Sequence, residues 1–554
     1  MNEQQRLLLV IALSIGIISG WQWLMTRDRP EGEWANAPMA EQVIPAQDAT
    51  GAGEPTLNPG TEIAEKGLGA VPNQEVYPEV PRTTHAFSTE VLAGEITNKG
   101  LQFTRLNLRK YLERAEDAGE ESTSALPELV SLLAGRGEGS QWQGRLHWQL
   151  GSVNQPEFVG TPGENGALVF KSVNTGPMET VVEVAPRALD YAIDYRVRVH
   201  NRGSLAAPAS LHMELGVDEA GAESGGFGAA AQGAQALCAL SDDIERQSAG
   251  DVEDGPWTAP TKSRWAGLDK QYFVLAALGH EESFAGDCAI AGSGTVLTVR
   301  QEVGTGTVNP GEVWERVFTL YAGPKRDEQL KAVSEELPEI IDYDFIGIPL
   351  GFLARPMVYI LNLFQGFTLS WGVAIMLLTL TVKVILFPVT YKSIVSMRKM
   401  QLLKPQLDKI KEQWPDDRER QQTEQLKIFK EKGVNPLGGC LPMLLQMPVW
   451  VALYRMLWSS VDLYQQPFLW LVDLTAKEPF PLLAIGLGAL TFLQQKITPT
   501  STDSQQAKVM MLMMPIMLTF FMLALPSGLV LYIFVNSVLT IAQTVAINKC
   551  QPAL

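Results

Sequence analysis

The stretch LSWGVAIMLLTLTVKVILFPV, residues 369–389, contains a single charge, Lys383, among about 20 otherwise uncharged residues, enough for a helix to cross a bilayer. A charged side chain in such a segment usually faces a water-filled cavity or a partner. A lysine this close to a helix end can also snorkel to the membrane interface. No aspartate or glutamate occurs in any of the long apolar segments. The pattern therefore favours a cation that attracts anionic or polar groups into the bilayer.

Five further apolar segments complete a predicted architecture of six spanning helices. The first covers residues 7–25, and Trp21 and Trp23 stand where a signal peptide would have small residues at its cleavage site. We therefore predict an uncleaved anchor at residues 1–25. The other predicted spans are residues 366–388, 437–458, 480–497, 509–525 and 528–547. Residues 344–365 contain Pro349 and Pro356, which argue against a straight span and favour an amphipathic helix in the membrane interface.

The chain between the anchor and the later spans has the composition of an exported domain. Residues 26–344 hold 25 lysines and arginines against 49 aspartates and glutamates. Residues 26–81 are rich in proline, glycine and alanine, which predicts a flexible linker and a loose coupling of the domain to the membrane part. In residues 82–343, β-branched and partly alternating segments between turn residues predict an all-β sandwich or barrel with a C-terminal helix. Cys238 and Cys288 can form a disulfide if this domain is exported.

A basic segment sets the predicted orientation. Eleven lysines and arginines lie in residues 390–435, which places this loop in the cytoplasm, both termini inside and the acidic domain outside. Apolar residues at helical spacing and a break at residues 415–417 predict that residues 389–435 form a helical hairpin. Its length and charge favour a docking element over a simple connector. The basic residues expected to dock partners are Arg398, Lys399, Lys404, Lys409 and Lys411. Residues 548–554 form a short cytoplasmic tail.

Polar side chains recur on the predicted spans and can line a hydrophilic groove around Lys383. Tyr532, Asn536 and Thr540 lie four residues apart, so they share one face of the last helix. The predicted groove residues are Thr379, Lys383, Gln446, Gln495, Thr519, Tyr532 and Asn536. Polar residues can also simply join helices to one another. A whole seam that includes a lysine favours a groove, which would solvate the polar groups of a polypeptide crossing hydrocarbon.

Three long motifs in this chain resemble the YidC/Oxa1/Alb3 membrane protein insertases, in particular the type found in Gram-negative bacteria. The motifs are Trp371-Gly372 followed by Lys383 and Phe387-Pro388-Val389-Thr390, NPLGGCLP at residues 435–442 running to Gln446-Met447-Pro448, and PSGLVLY at residues 526–532. Together with the helix order and the large domain after the first helix, the resemblance covers essentially the whole chain.

The resemblance implies a fold. It is an all-α transmembrane bundle of six helices, in which residues 366–388 and 436–547 supply a five-helix core, plus a large periplasmic all-β supersandwich like that of sugar mutarotases. In relatives an arginine usually stands at the position of Lys383, and Thr379 and Tyr532 match positions that contact passengers. Lysine keeps the charge of arginine but loses its bidentate hydrogen bonding.

The resemblance also implies a function and partners. The function is to insert and help fold integral membrane proteins in the bacterial inner membrane, alone or with the Sec translocon, without enzymatic activity or a cofactor. The implied partners are nascent membrane-protein passengers, the Sec translocon and its accessory subunits, the ribosome, the signal-recognition-particle receptor and membrane lipids, with no direct binding of nucleic acid. Some relatives hold ribosomes with a long basic tail. The short tail here leaves the hairpin as the expected contact.

Two other classes of function stay open from the residues alone. A small-solute transporter or channel would be expected to show inverted repeats or paired intramembrane charges, and neither is seen. A sugar-binding cell-envelope protein would act through clustered polar side chains of the β-domain, which sequence separation does not exclude. The sequence has no phosphate-binding loop and no metal-ligand spacing, so it favours no class of enzyme.

Overall fold

The computed structural model describes residues 80–112, 129–131, 144–151, 153–154, 156–173, 175–218, 233–241, 243–279, 286–294, 296–345, 348–415, 417–434, 441–497 and 505–550. The predicted N-terminal anchor, nearly all of the predicted linker and the first six residues of the NPLGGCLP motif lie outside these ranges.

Three antiparallel sheets form the β-domain. The nine-stranded sheet has the order β13-β12-β15-β16-β19-β10-β9-β8-β7, the six-stranded sheet β14-β17-β18-β11-β5-β6, and the smallest sheet β1-β2-β3-β4. The strands are β1 (Thr84–Ser88), β2 (Leu92–Thr97), β3 (Phe103–Leu112), β4 (Leu129–Ser131), β5 (Gly144–Leu150), β6 (Val153–Asn154), β7 (Glu157–Pro162), β8 (Leu168–Val173), β9 (Met178–Pro186), β10 (Ala192–Asn201), β11 (Ala207–Asp218), β12 (Gln235–Ala239), β13 (Ile244–Gln247), β14 (Trp257–Thr258), β15 (Trp265–Asp269), β16 (Phe273–Gly279), β17 (Cys288–Ser293), β18 (Val296–Val308) and β19 (Val313–Pro324).

Alternating side chains explain why these segments pair as a sandwich. In β10, Val197 and Val199 are fully buried, while Arg196 and Arg198, which alternate with them, are exposed. Successive side chains of a strand point to opposite faces of its sheet, so this pattern gives the sheet one apolar face and one polar face. The apolar faces enclose a single large core. The prediction of a β-rich domain is confirmed.

A disulfide joins the two larger sheets. Cys238 on β12 belongs to the nine-stranded sheet and Cys288 on β17 to the six-stranded sheet, and their Cα atoms lie 6.2 Å apart. Both residues are fully buried. The bond therefore crosses the core between the two layers. A disulfide of this kind suits an exported domain, because exported proteins meet an oxidising environment.

Nine helices follow the strands in the described residues. They are α1 (Asp327–Val333), α2 (Gly351–Thr368), α3 (Trp371–Leu402), α4 (Lys404–Gln413), α5 (Arg418–Glu431), α6 (Leu441–Ser459), α7 (Leu482–Ile497), α8 (Gln505–Met522) and α9 (Ser527–Cys550). By length and apolar composition, α3 and α9 are the two described helices able to cross a membrane. Helix α7 and the part of α8 from Leu512 to Met522 are apolar but shorter. A β-rich domain followed by a helical C-terminal region is therefore what the structure contains, and the six-span count stays a prediction.

The boundary between the predicted interfacial helix and the next span lies later than expected. We placed it between residues 365 and 366, whereas α2 continues to Thr368 and α3 begins at Trp371. Leu369 has left-handed backbone angles, with φ 53° and ψ 22°, and Ser370 is extended. These two residues turn the chain between the helices. Residues 366–368 therefore belong to the helix before the turn.

Helix α3 also passes through Pro388, where we expected the span to end. It continues to Leu402, so Arg398 and Lys399 lie on α3 and the hairpin itself consists of α4 and α5. Proline removes one hydrogen-bond donor from a helix but is tolerated in long apolar helices, where neighbouring groups take up the freed carbonyl. The predicted break at residues 415–417 is confirmed, because α4 ends at Gln413 and α5 begins at Arg418.

The β-domain packs against the helical region, so the expectation of loose coupling is wrong for the described residues. Tyr464, from the segment between α6 and α7, is 7% exposed and enters an aromatic cluster of the β-domain. Its ring centre lies 5.2 Å from that of Tyr272, 5.7 Å from Phe273 and 6.3 Å from Tyr111. Burial raises the pKa of Tyr111, which keeps its hydroxyl neutral inside the cluster.

Polar contacts surround this aromatic cluster. The Arg326 guanidinium donates to Oδ1 of Asp462, with Nε 2.6 Å away. The Gln271 side chain donates to the carbonyl of Trp458 at 3.1 Å. Arg326 and Gln271 belong to the β-domain side, and their two partners follow one another closely at the end of α6. The composition of the linker could not predict these contacts, because they form between residues that are far apart in the chain.

Candidate functional site

A cavity of about 370 Å³ lies between α3, α6, α7 and α9. Its wall combines apolar side chains with amides, hydroxyls and two cations, and no carboxylate is among the described residues that line it. The polar lining residues are Lys383, Thr390, Arg398 and Gln401 of α3, Gln446 of α6, Gln494 of α7, and Asn536, Thr540, Thr544 and Asn548 of α9. In α3 and α9 these positions run from Lys383 and Asn536, near the middle of each helix, toward the end nearer the hairpin. The cavity therefore faces the hairpin side of the bundle.

Lys383 is the buried charge of this cavity. Its side chain lines the wall and the residue is 7% exposed. The ammonium Nζ donates a hydrogen bond to Thr540 Oγ1 at 2.7 Å, and that hydroxyl donates in turn to the backbone carbonyl of Asn536 at 2.6 Å. None of the ion pairs found among the described residues includes Lys383. The side chain of Lys383 thus reaches from α3 to α9, and no ion pair with a described acid neutralises its charge.

The end of the cavity away from the hairpin is closed by packed side chains. Gln446 donates to the Tyr532 hydroxyl at 2.9 Å, and Tyr532 is 1% exposed. Thr379, one turn before Lys383 on α3, is fully buried and donates to its own helix at the carbonyl of Ile375. Thr379 and Tyr532 therefore do not line the cavity as predicted. They lie one helical turn beyond Lys383 and Asn536, where they form its floor.

Two other predicted groove residues lie elsewhere. Gln495 donates to the sulfur of Met514 on α8 at 3.5 Å, and its neighbour Gln494 lines the cavity instead. Thr519 donates to the carbonyl of Pro515 and lies so near α7 that a methyl group at Gly488 would come within 2.2 Å of its hydroxyl. Both side chains therefore join α7 to α8. Lys383, Gln446 and Asn536 are the predicted groove residues that do line the cavity.

Arg398 is a lining residue that the sequence analysis assigned to the hairpin. Its Nη1 donates to the backbone carbonyl of Asn548 at 3.0 Å, near the C-terminal end of α9. A cation there satisfies one of the terminal carbonyls of the helix and interacts favourably with its dipole. Arg398 therefore links α3 to α9 at the hairpin end of the cavity. Recognising this role from sequence would have required knowing that α3 continues beyond Pro388.

The remaining predicted docking residues lie on α3 and α4. Lys399 is exposed in the last turn of α3, and Lys404, Lys409 and Lys411 belong to α4. At the tip of the hairpin, the Arg420 guanidinium lies 3.8 Å from the centre of the Trp414 ring. The hairpin is thus a pair of short helices with a basic, solvent-facing surface.

The chemistry of the cavity suits binding. Its amides and hydroxyls can donate to and accept from a polypeptide backbone, and its two cations can attract carboxylates. The described residues contain no group of three histidines, cysteines or acids that could hold a metal ion. What the site offers is a polar, cationic surface within an otherwise apolar bundle.

Arg455, a charged residue of α6, does not line the cavity. Its guanidinium pairs with the Asp342 carboxylate at 3.1 Å, in the segment between the β-domain and α2. Arg455 therefore contributes to the contact between the β-domain and the helices.

Comparison with known proteins identifies the family. The model of the 60Kd inner membrane protein family matches residues 363–553, and that of the YidC periplasmic domain matches residues 84–360. The membrane protein insertase YidC of Geotalea daltonii is 35% identical over 469 residues, which cover 84% of this chain and 86% of the relative. That of Anaeromyxobacter dehalogenans is 41% identical over 307 residues, so the match spans about half of either chain, 54% of each.

A crystal structure of an active YidC insertase with its first transmembrane domain resolved is 17% identical and covers 82% of this chain and 91% of its own, with a TM-score of 0.36. The two family models and the extent of the Geotalea match show that this chain belongs to the YidC family of membrane protein insertases.

Proposed function

We propose that this protein inserts and helps fold integral membrane proteins in the bacterial inner membrane, with the cavity around Lys383 as the site that receives the passenger. The observation that carries the proposal is a buried lysine with no acidic neighbour on the wall of a polar cavity between four helices. Such a charge is expensive inside a membrane protein and is expected to be kept for function.

In the proposed mechanism the cavity solvates the polar part of a passenger. Amides and hydroxyls of the wall would form hydrogen bonds with backbone groups of the passenger. In hydrocarbon, each such group left unpaired would cost on the order of several kcal/mol. Lys383 would draw in acidic residues of the segment that is to be translocated. The apolar part of the passenger would leave sideways into lipid. No covalent step is needed, so we propose no enzymatic activity.

The packed floor beneath the cavity favours this mechanism over a channel for small solutes. Tyr532 and Thr379 are both almost fully buried there. A solute pore would need a continuous polar path through this layer. An insertion groove needs no such path. It needs only to reduce the thickness of hydrocarbon that the polar part of the passenger must cross.

Topology and partners are part of the same proposal. We place the hairpin and both termini in the cytoplasm and the β-domain in the periplasm, because the basic residues of the loops concentrate in residues 390–435. We propose that the hairpin receives passengers from the ribosome or the signal-recognition-particle receptor. We propose that the protein acts alone or together with the Sec translocon and its accessory subunits.

The test of the function is reconstitution of the full chain in liposomes with a single-span passenger that has acidic residues in its translocated segment. We expect protease protection of that segment in proteoliposomes and not in protein-free liposomes. A trapped fluorescent solute, followed in the same vesicles, should be retained. Release of the solute without insertion of the passenger would contradict the proposal and support a channel.

Removing the hairpin tests whether it recruits passengers. Replacing residues 404–431 by a short glycine-serine linker should reduce insertion of ribosome-bound nascent passengers at least tenfold, on the order of 1.4 kcal/mol of lost recruitment. Arg398 remains on α3 in this variant, so the cavity keeps its contact with Asn548. A second variant keeps the hairpin and exchanges Lys409 and Lys427 for glutamate, and it should also reduce insertion, because it removes basic charge without shortening the chain. Undiminished insertion by the deletion variant, measured with ribosome–nascent-chain complexes, would reduce the hairpin to a connector.

A further inference from the structure

Two turns at the end of the bundle opposite the hairpin hold leucines in an unusual backbone conformation. Leu369 ends α2 with φ 53°, and Leu469 has φ 55°. Leu469 is the first of two residues between Phe468 and Leu471, whose backbones exchange hydrogen bonds of 2.8 and 2.9 Å. Glycine or asparagine is the usual residue at a left-handed helix end and at this position of a two-residue hairpin. Backbone geometry therefore disfavours leucine at both places.

The two leucine side chains do not pack inside the protein. Leu369 is 83% exposed and Leu469 is 76% exposed. Phe367 and Val472, on the same two turns, are exposed to a similar extent. An exposed apolar side chain that also strains its backbone contributes nothing to the stability of the isolated fold. The reason for these residues must lie in what surrounds the protein.

The two turns are neighbours in space. Gly372, in the first turn of α3, packs so closely against the ring of Phe468 that a methyl group there would lie 2.1 Å from its Cγ. The exposed side chains of Phe367, Leu369, Leu469 and Val472 therefore belong to one part of the surface, which we name the apolar rim. The rim lies directly beside the beginning of α3, one of the helices able to cross a membrane.

The polar groups next to the rim are satisfied within the protein. Trp470, the other residue of the two-residue turn, donates its indole N–H to Glu478 at 2.8 Å. The same carboxylate accepts from the backbone of Leu483 and Ala484 at the start of α7. A tryptophan with its ring on the apolar side and its N–H bound is typical of the boundary between lipid and water. The rim can thus enter an apolar medium without exposing unpaired polar groups.

We propose that the apolar rim is embedded among lipid acyl chains in the leaflet opposite the hairpin. Lipid is the favoured occupant because the rim adjoins the first turn of α3, whose exposed side chains include Leu380, Val384 and Ile385. Lipid also requires no specific complementary shape in the surface that it covers. The proposal depends on membership of an inner-membrane family and does not depend on the proposed insertion mechanism.

The test measures where each turn tip lies. Single cysteines at Leu369, Leu469 and, as a control, Leu205 carry an environment-sensitive fluorophore, in a full-length background in which Cys440 and Cys550 are serine. Leu205 is a matched control because it is an equally exposed leucine, 79%, on a turn of the β-domain. The labelled proteins are reconstituted in phosphatidylethanolamine–phosphatidylglycerol vesicles, with doxyl-labelled lipid or with iodide in the water.

At the two rim positions we expect doxyl lipid to quench the fluorophore several-fold more strongly than iodide does. At the control position we expect the reverse. Rim fluorophores quenched by iodide like the control would show that the rim is in water. Rim fluorophores shielded from both quenchers would show a protein occupant, and either result would overturn the proposal. Val472→Cys, at a position without left-handed angles, provides the same measurement if a leucine variant does not fold.

Discussion

Replacing Lys383 by alanine should reduce the insertion of passengers with acidic translocated segments about 30-fold, while passengers without acidic residues should be affected far less. The expected size follows from the attraction between opposite charges, about 2 kcal/mol at 8 Å in an effective dielectric of 20, which corresponds to about 30-fold. The measurement compares two passengers that differ only in these acidic residues, in proteoliposomes that contain equal amounts of each protein variant.

The other substitutions at this position separate charge from shape. Lys383→Arg should retain insertion because the charge is kept, and Lys383→Glu should be worse than alanine because it repels the same segments. Thr540→Val is a matched control, since it removes the hydrogen-bond acceptor of the ammonium without removing the charge. If Lys383→Ala inserts both passengers like the unmodified protein, the charge has no part in insertion and the lysine only snorkels.

Lys383→Ala should reduce insertion without reducing the thermal stability of the protein. A charge in the middle of a membrane helix costs about 2.5–3.5 kcal/mol on insertion scales. Removing it leaves the bundle equally stable or more stable, as thermal unfolding in detergent would show. A loss of insertion together with a marked loss of stability would point to a packing role instead.

Tyr464→Ala should loosen the attachment of the β-domain to the helices. Removing a buried aromatic ring typically costs about 3–5 kcal/mol, so amides of residues 463–474 should exchange their hydrogens on the order of a hundredfold faster. Several of these amides are hydrogen-bonded within the segment, including those of Phe468, Leu471 and Leu474. Amides in the interior of β10 should keep their protection, because the sandwich core does not depend on this ring.

Two controls distinguish the ring from its surroundings. Tyr464→Phe keeps the ring against Tyr272 and Phe273 and should change exchange much less. Arg326→Ala and Asp462→Ala, alone and together, measure the ion pair in a double-mutant cycle, where a partly exposed pair contributes about 1 kcal/mol or less. Unchanged exchange in Tyr464→Ala, followed by mass spectrometry of the full chain in detergent, would show that the two regions are coupled elsewhere.

Local sequence patterns indicate which helices form the cavity better than they indicate which side chains line it. Asn536 and Thr540 lie together on the cavity wall, because residues four apart on a helix share a face. The expected groove residue Gln495 lies outside the cavity and its neighbour Gln494 lines it. Consecutive residues of a helix point in directions about 100° apart, so the sequence does not specify which of the two faces inward. Packing of α7 on α8, where Gly488 meets Thr519, fixes the rotation that turns Gln494 into the cavity.

The division into an acidic β-rich region and an apolar helical region could be predicted from the amino acids alone, since composition and hydrophobic period are local properties. The sequence also singled out Lys383, because one charge in a long apolar run is visible without any structure. Only the tertiary structure decided that Arg398 reaches Asn548, that Tyr464 fills an aromatic cluster of the β-domain, and that Cys238 bonds to Cys288. Each of these contacts joins residues 50 or more positions apart, and no local propensity or periodicity specifies which distant surfaces will meet.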